Sequence, residues 1–165
     1  MPRPAYERGM TRHPLDVVPS GLRGSERSVA VPPVARPAVA ALVSSWEFKR
    51  RAGFEVPGER PSPGVEGTLA KRLLGIRFAE PVRVVWAEAS GFGYETRPGH
   101  PIYGEESFVL GDDGVFTARS VSRPSTWTWR LLTPVLRMLQ HRVFGSYIRI
   151  VEDEIRRATA ATEDR

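Results

Sequence analysis

The residues best equipped for chemistry lie together in Tyr94-Glu95-Thr96-Arg97-Pro98-Gly99-His100-Pro101-Ile102-Tyr103-Gly104-Glu105-Glu106-Ser107-Phe108. One imidazole and two adjacent carboxylates are the components of proton transfer, because a carboxylate orients the ring and fixes its tautomer. Pro98-Gly99 and Gly104 require a bend between two strands, which carries His100 towards Glu105 and Glu106. Alternation along the second strand puts Glu106 on the side of Phe108 and Leu110. A carboxylate facing a core needs a donor or a proton, and Arg119 or Arg123 is the expected partner. Two readings stay open: these groups tie a loop to a sheet, or they form a polar cluster at the mouth of a cavity. The aromatics Trp46, Trp86, Phe92, Tyr94 and Phe108 are correspondingly either core or cavity wall.

Other chemistries lack their residues. His13, His100 and His141 are scattered, with no spacing suited to zinc, and there is no cysteine. Asp112 and Asp113 lack the remaining ligands of a calcium loop. No nucleophile elbow, Walker-A loop or dinucleotide fingerprint occurs, so neither metal nor cofactor is expected. The net charge of +5 comes almost wholly from arginines spread along the chain, not from a stripe interleaved with aromatics, which argues against nucleic acid as a partner. Lys49-Arg50-Arg51 and Arg156-Arg157 read as solvated cations at helix ends.

The elements that must position these groups follow from periodicity. The 165 residues, 41% hydrophobic and 26% charged, suit one globular domain with many turns. Residues 1–25 read as a loosely ordered arm, 26–158 as the domain and 159–165 as a disordered tail. The start, Met1 to Arg8, lacks the apolar core of a signal peptide. No apolar run is long enough for a membrane span, so a soluble, cytoplasmic protein is expected.

A short strand is predicted at Ser28 to Val31 and a helix from Pro37 to Ala52, with Gly53 as its left-handed cap. Strands are predicted at 65–74, with Val65, Leu69 and Leu73 on one face and Leu74 unassigned, and at 82–89, with Val82, Val84 and Trp86 sharing a face. Further strands are expected at 91–97, 105–110 and 115–122, the last two joined by Gly111-Asp112-Asp113-Gly114. Thr133-Pro134 opens a long helix whose stripe runs through Val135, Leu136, Leu139, Val143, Tyr147, Val151 and Ile155. Trp127 and Trp129 precede it in a short helical turn. The pattern is α+β.

The segments Gly93-Tyr94-Glu95-Thr96-Arg97-Pro98-Gly99-His100-Pro101, Gly104-Glu105-Glu106-Ser107-Phe108, Ser122-Arg123-Pro124 and Leu139-Gln140-His141-Arg142, with Tyr147, resemble the family known as domain of unknown function nineteen-ninety. The similarity runs from about Trp46 to Arg149, and Tyr6-Glu7-Arg8-Gly9 echoes the family's opening; Arg97 stands where Leu is expected. The resemblance implies a helix-grip fold like that of START-like and birch-pollen-allergen-like proteins. In such folds a curved antiparallel sheet wraps a long C-terminal helix and often encloses a cavity for an apolar small molecule. The family brings no established reaction.

The expected function is therefore binding of an apolar small molecule between the sheet and the helix beginning near Pro134. Trp46, Trp86, Tyr94 and Phe108 would be walls, and His100, Glu106, Arg119 and Arg123 would orient a polar group. The alternatives are a cavity enzyme (cyclase, dehydratase or hydrolase) using His100 and Glu106 for proton transfer, and a structural or interaction module with a filled core.

Overall fold

Strand-forming segments separated by Gly-rich turns can satisfy their backbone groups only by pairing with one another. In the computed structural model, which describes residues 6–73 and 75–163, six of them do so. The strands are β1 (Arg23–Ala30), β2 (Glu66–Leu73), β3 (Ile76–Glu88), β4 (Gly91–Thr96), β5 (Ile102–Leu110) and β6 (Val115–Pro124). They form one sheet in the order β1-β6-β5-β4-β3-β2, with antiparallel neighbours throughout. Four helices accompany it: α1 (Arg36–Val43), α2 (Glu47–Arg51), α3 (Trp127–Leu131) and α4 (Thr133–Glu163).

The curved sheet grips α4, which is the helix-grip architecture the resemblance implies. The core lies on the concave face. Phe48 of α2 packs on Phe108 of β5 at a ring separation of 4.9 Å, and Phe108 packs on Tyr147 of α4 at the same distance. Trp46 meets Phe92 edge-on at 4.8 Å.

Two corrections reposition side chains. The helix expected from Pro37 to Ala52 is broken into α1 and α2. Ser44 and Ser45 turn their hydroxyls back onto the carbonyls of Ala41 and Leu42, competing with the helical ladder, and the Trp46 amide donates instead to Glu59 at 3.2 Å. Gly53 still caps α2, at φ 87°. In β3, a bulge between Val84 and Trp86 interrupts the alternation. Val82 and Val84 stay in the concave core, whereas Trp86 turns to the convex face and lies over Gly93. A Cβ at Gly93 would stand 2.4 Å from the indole nitrogen, so only glycine admits this ring.

Other elements differ in extent. The first strand begins at Arg23 rather than Ser28 because Arg23 to Ala30 pair along β6 from Ser122 to Val115. Residues 6–22, expected as an arm, run along the convex face through a 3-10 turn at Met10–Arg12. At the other end α4 continues through residues 159–163. Leu69 is buried, but Val65 precedes β2 and is exposed, so the two do not share the expected face. Leu74 lies outside the described residues.

Candidate functional site

The apolar stripe of α4 is used unequally. From Phe144 onwards the helix buries Phe144, Tyr147 and Val151, but no side chain between Thr133 and Val143 is fully buried, and Val135 is 47% exposed. The N-terminal third therefore stands off the sheet. Beneath it lies a cavity of about 550 Å³. The helix contributes Leu136, Leu139 and Val143 to its walls; Phe54, Phe78 and Ile102 face them from the sheet side. Trp129 of α3 closes one end, held by the Thr126 hydroxyl accepting from its amide.

The polar end is built around Lys49. The break after α1 turns α2 so that Phe48 and Lys49 both point inward, and Lys49 is 1% exposed. Its ammonium donates to the Tyr147 hydroxyl and stands 3.4 Å from Glu106 Oε2, which also accepts from the Tyr94 hydroxyl. The rings of Phe54, Tyr94, Phe108 and Tyr147 surround the nitrogen at 4.5–5.0 Å from their centroids. Burial pushes the Lys49 amine below its ordinary value, against the opposing pull of Glu106 and Glu80. Burial and the nearby Glu106 carboxylate push the Tyr94 and Tyr147 phenols well up, so both keep their protons.

A second polar pair completes this end. His100 Nδ1 accepts from the Ile102 amide at 3.1 Å, so the ring proton resides on Nε2, 3.6 Å from Glu80 Oε2. Burial alone would raise the Glu80 carboxyl, but the hydrogen bond from His100 and the charges of Lys49 and Lys71 hold it below its ordinary value. Lys71 of β2 donates to the Ala52 carbonyl at 2.7 Å and lies 4.8 Å from the Phe54 ring, which Lys49 also faces. Its amine is lowered by burial first and by the charge of Lys49 second.

The residues proposed from sequence divide between the two faces of the sheet. Tyr94, His100 and Glu106 line the cavity. Trp46 and Phe108 are core, packed beneath it. Trp86, moved by the bulge, carries the Arg12 guanidinium over its ring at 5.7 Å on the convex face. Arg119 is on that face too, paired with Glu26 at 3.0 Å, and Arg123 covers the Tyr103 ring at 5.1 Å. Neither arginine partners Glu106; Lys49 does. Likewise the carboxylate beside His100 is Glu80.

Lys49 and Glu80 line the cavity but are not among the residues expected there, and both carry a signal in the sequence. Leu42, Trp46 and Lys49 follow the four-then-three spacing of one buried helical face, although a charged trio reads as a solvated helix end. Glu80 precedes Val82 and Val84 at the two-residue spacing of the inward face.

With this geometry in view, the profile of the family described as Domain of unknown function (DUF1990) matches residues 6–150. The chain belongs to this family. Among solved structures it is similar to one domain of the di-domain ARO/CYC protein StfQ from the steffimycin biosynthetic pathway: 14% identity, TM-score 0.58, 84% of this chain and 52% of that one. Protein Ms6760 from Mycobacterium smegmatis aligns at 15% identity and TM-score 0.55, over 86% and 92% of the two chains. Ginseng major latex-like protein 151 from Panax ginseng aligns at 11% and 0.50, over 86% and 97%. At these identities the likeness is one of fold. No curated protein matches the chain. No helix among the described residues of this DUF1990 member is long and apolar enough to cross a membrane.

Proposed function

We propose that this protein binds an apolar small molecule carrying one polar group, with its body under the N-terminal third of α4 and its polar group at Lys49, Glu106 and Tyr94. The observation that carries this reading is the cavity of about 550 Å³, whose walls are apolar and whose polar groups converge at one end. That combination is the usual form of small-molecule sites. The exposed half-stripe of α4 supports it further, because Leu136 and Leu139 gain burial only when the space beneath them is filled.

Native mass spectrometry of protein purified from its own host, with titration by the fluorescent probe anilinonaphthalene sulfonate, tests the proposal. A retained small molecule and saturable probe binding are expected in the wild type. Both should be lost in Leu136→Trp, which fills the space without disturbing the packed half of the helix. Probe binding unaffected by Leu136→Trp, with no retained mass, would sink it.

A second reading, a cavity enzyme, draws support from two proton-bearing pairs that face one space, His100 with Glu80 and Tyr94 with Glu106. It predicts that His100→Ala abolishes turnover of a bound substrate while leaving its retention unchanged.

A further inference from the structure

Of the 24 Lys and Arg residues in the chain, only Lys49 and Lys71 are lysines. Every other strong cation is an arginine, including all those that form exposed ion pairs among the described residues. Both lysines line the cavity. Arginine gives a permanent charge and a broader fork of donors, so charge alone gives no reason for lysine at these two positions. What lysine offers and arginine cannot is an amine that gives up its proton and becomes a nucleophile.

The surroundings suit that use. Lys49 Nζ is enclosed by aromatic rings, and Lys71 Nζ stands over the same Phe54 ring as a neighbouring cation. Desolvation lowers the Lys49 amine against the pull of Glu106 and Glu80, and desolvation followed by the charge of Lys49 lowers that of Lys71. Groups able to move protons approach Lys49 from every side: Glu106 on β5, Tyr94 on β4, Tyr147 on α4 and Glu80 on β3.

We infer that Lys49 is an amine nucleophile that condenses with an apolar aldehyde or ketone bound in the cavity, forming an imine. The buried ammonium first gives one proton to the Glu106 carboxylate; the freed Nζ lone pair then attacks the carbonyl carbon, and the carbonyl π pair moves to oxygen. The amine gives up two protons in all through Glu106 and Tyr94; the oxygen takes both, the C–O bond breaks and water departs. Atoms and charge balance without an oxidant, reductant or cofactor. This inference rests on the reading of the cavity as a ligand site and names the class of ligand.

The test uses the whole protein at neutral pH with cinnamaldehyde and sodium cyanoborohydride, which reduces an imine to a stable secondary amine. Peptide mapping then locates the adduct. Lys49 should be modified faster than Lys71 and the N-terminal amine by about tenfold or more. Lys71→Arg should retain the adduct, whereas Lys49→Met should lose it, and circular dichroism reports whether each variant is folded. Mapping on the wild type needs no variant, so misfolding of Lys49→Met leaves the test intact. Adduct on Lys71 or the N-terminus at a rate equal to or above that of Lys49 overturns the assignment. Cinnamyl alcohol, which has the same body but no carbonyl, separates the two claims. Saturable binding of the alcohol without an aldehyde adduct refutes the amine chemistry alone. Binding of neither refutes the ligand site as well.

Discussion

On the convex face Glu105 meets donors that are part of the fold. The amides of Gly9 and Thr11 lie 2.7 and 3.0 Å from its two oxygens, the Thr11 hydroxyl joins them, and the 3-10 turn at Met10–Arg12 seals the site. On the concave face its sequence neighbour Glu106 meets Lys49 and Tyr94, both titratable and both bordering a cavity. Two identical carboxylates are thus given opposite tasks by strand alternation alone. One is saturated by backbone and holds the N-terminal segment down. The other keeps company with groups that can exchange a proton.

The contrast breaks most visibly if Glu106 is removed. Glu106→Ala leaves the Lys49 ammonium buried among aromatic rings without its paired carboxylate, and chemical denaturation should show a loss of about 3–5 kcal/mol. The double replacement Lys49→Met with Glu106→Leu should recover most of it, since a buried ion pair seldom outperforms apolar packing. A double variant no more stable than the single one would mean that the pair is not where the strain lies.

Glu105→Ala should cost about 1–3 kcal/mol by orphaning the donors of the N-terminal segment. Hydrogen exchange should then accelerate at the Gly9 and Thr11 amides but not in β4. Equal acceleration on both faces would erase the distinction drawn between the two carboxylates. Thr11→Ala, which removes only the hydroxyl, should cost about 1 kcal/mol.

The smallest effect sharpens the comparison through pH. Glu80, lowered in the folded state, gives a stabilisation present above its ordinary value of 4.5 and lost as pH falls below it. Glu105, raised by burial despite its three donors, acts with the opposite sign: the folded chain holds that proton to higher pH, so stability grows on acidification through its window. Glu80→Gln should therefore flatten the acid-side fall in Tm, and Glu105→Gln should steepen it. The same change of slope in both would contradict the assignment.

The strands and the terminal helix were legible because each carries its own period, and the Gly111 to Gly114 turn sits where Asp-Gly chemistry puts it. That His100, Glu106 and Tyr94 lie near one another was also legible, since their neighbourhood is dense in polar groups. Their partners were not. Pairing across a sheet depends on register, and Glu80 comes beside His100 only through the long β3, half of which lies outside its most periodic stretch. Trp86 was assigned to the wrong face because one bulged residue inverts every alternation after it. Lys49 was masked by Arg50 and Arg51: two solvated neighbours make the third cation look alike, and only the break at Ser44 and Ser45 turns it inward.

The adjacency of Glu105 and Glu106 also fixes how β5 threads through the molecule. Slipping the strand by a single position would thrust Glu105 among the aromatic rings and leave Gly104, which has no side chain, under the N-terminal turn, unseating both halves at once. The dipeptide works as a two-sided key: it fits only one alignment, and it couples assembly of the outer cover to that of the inner chamber although nothing passes between them through the sheet.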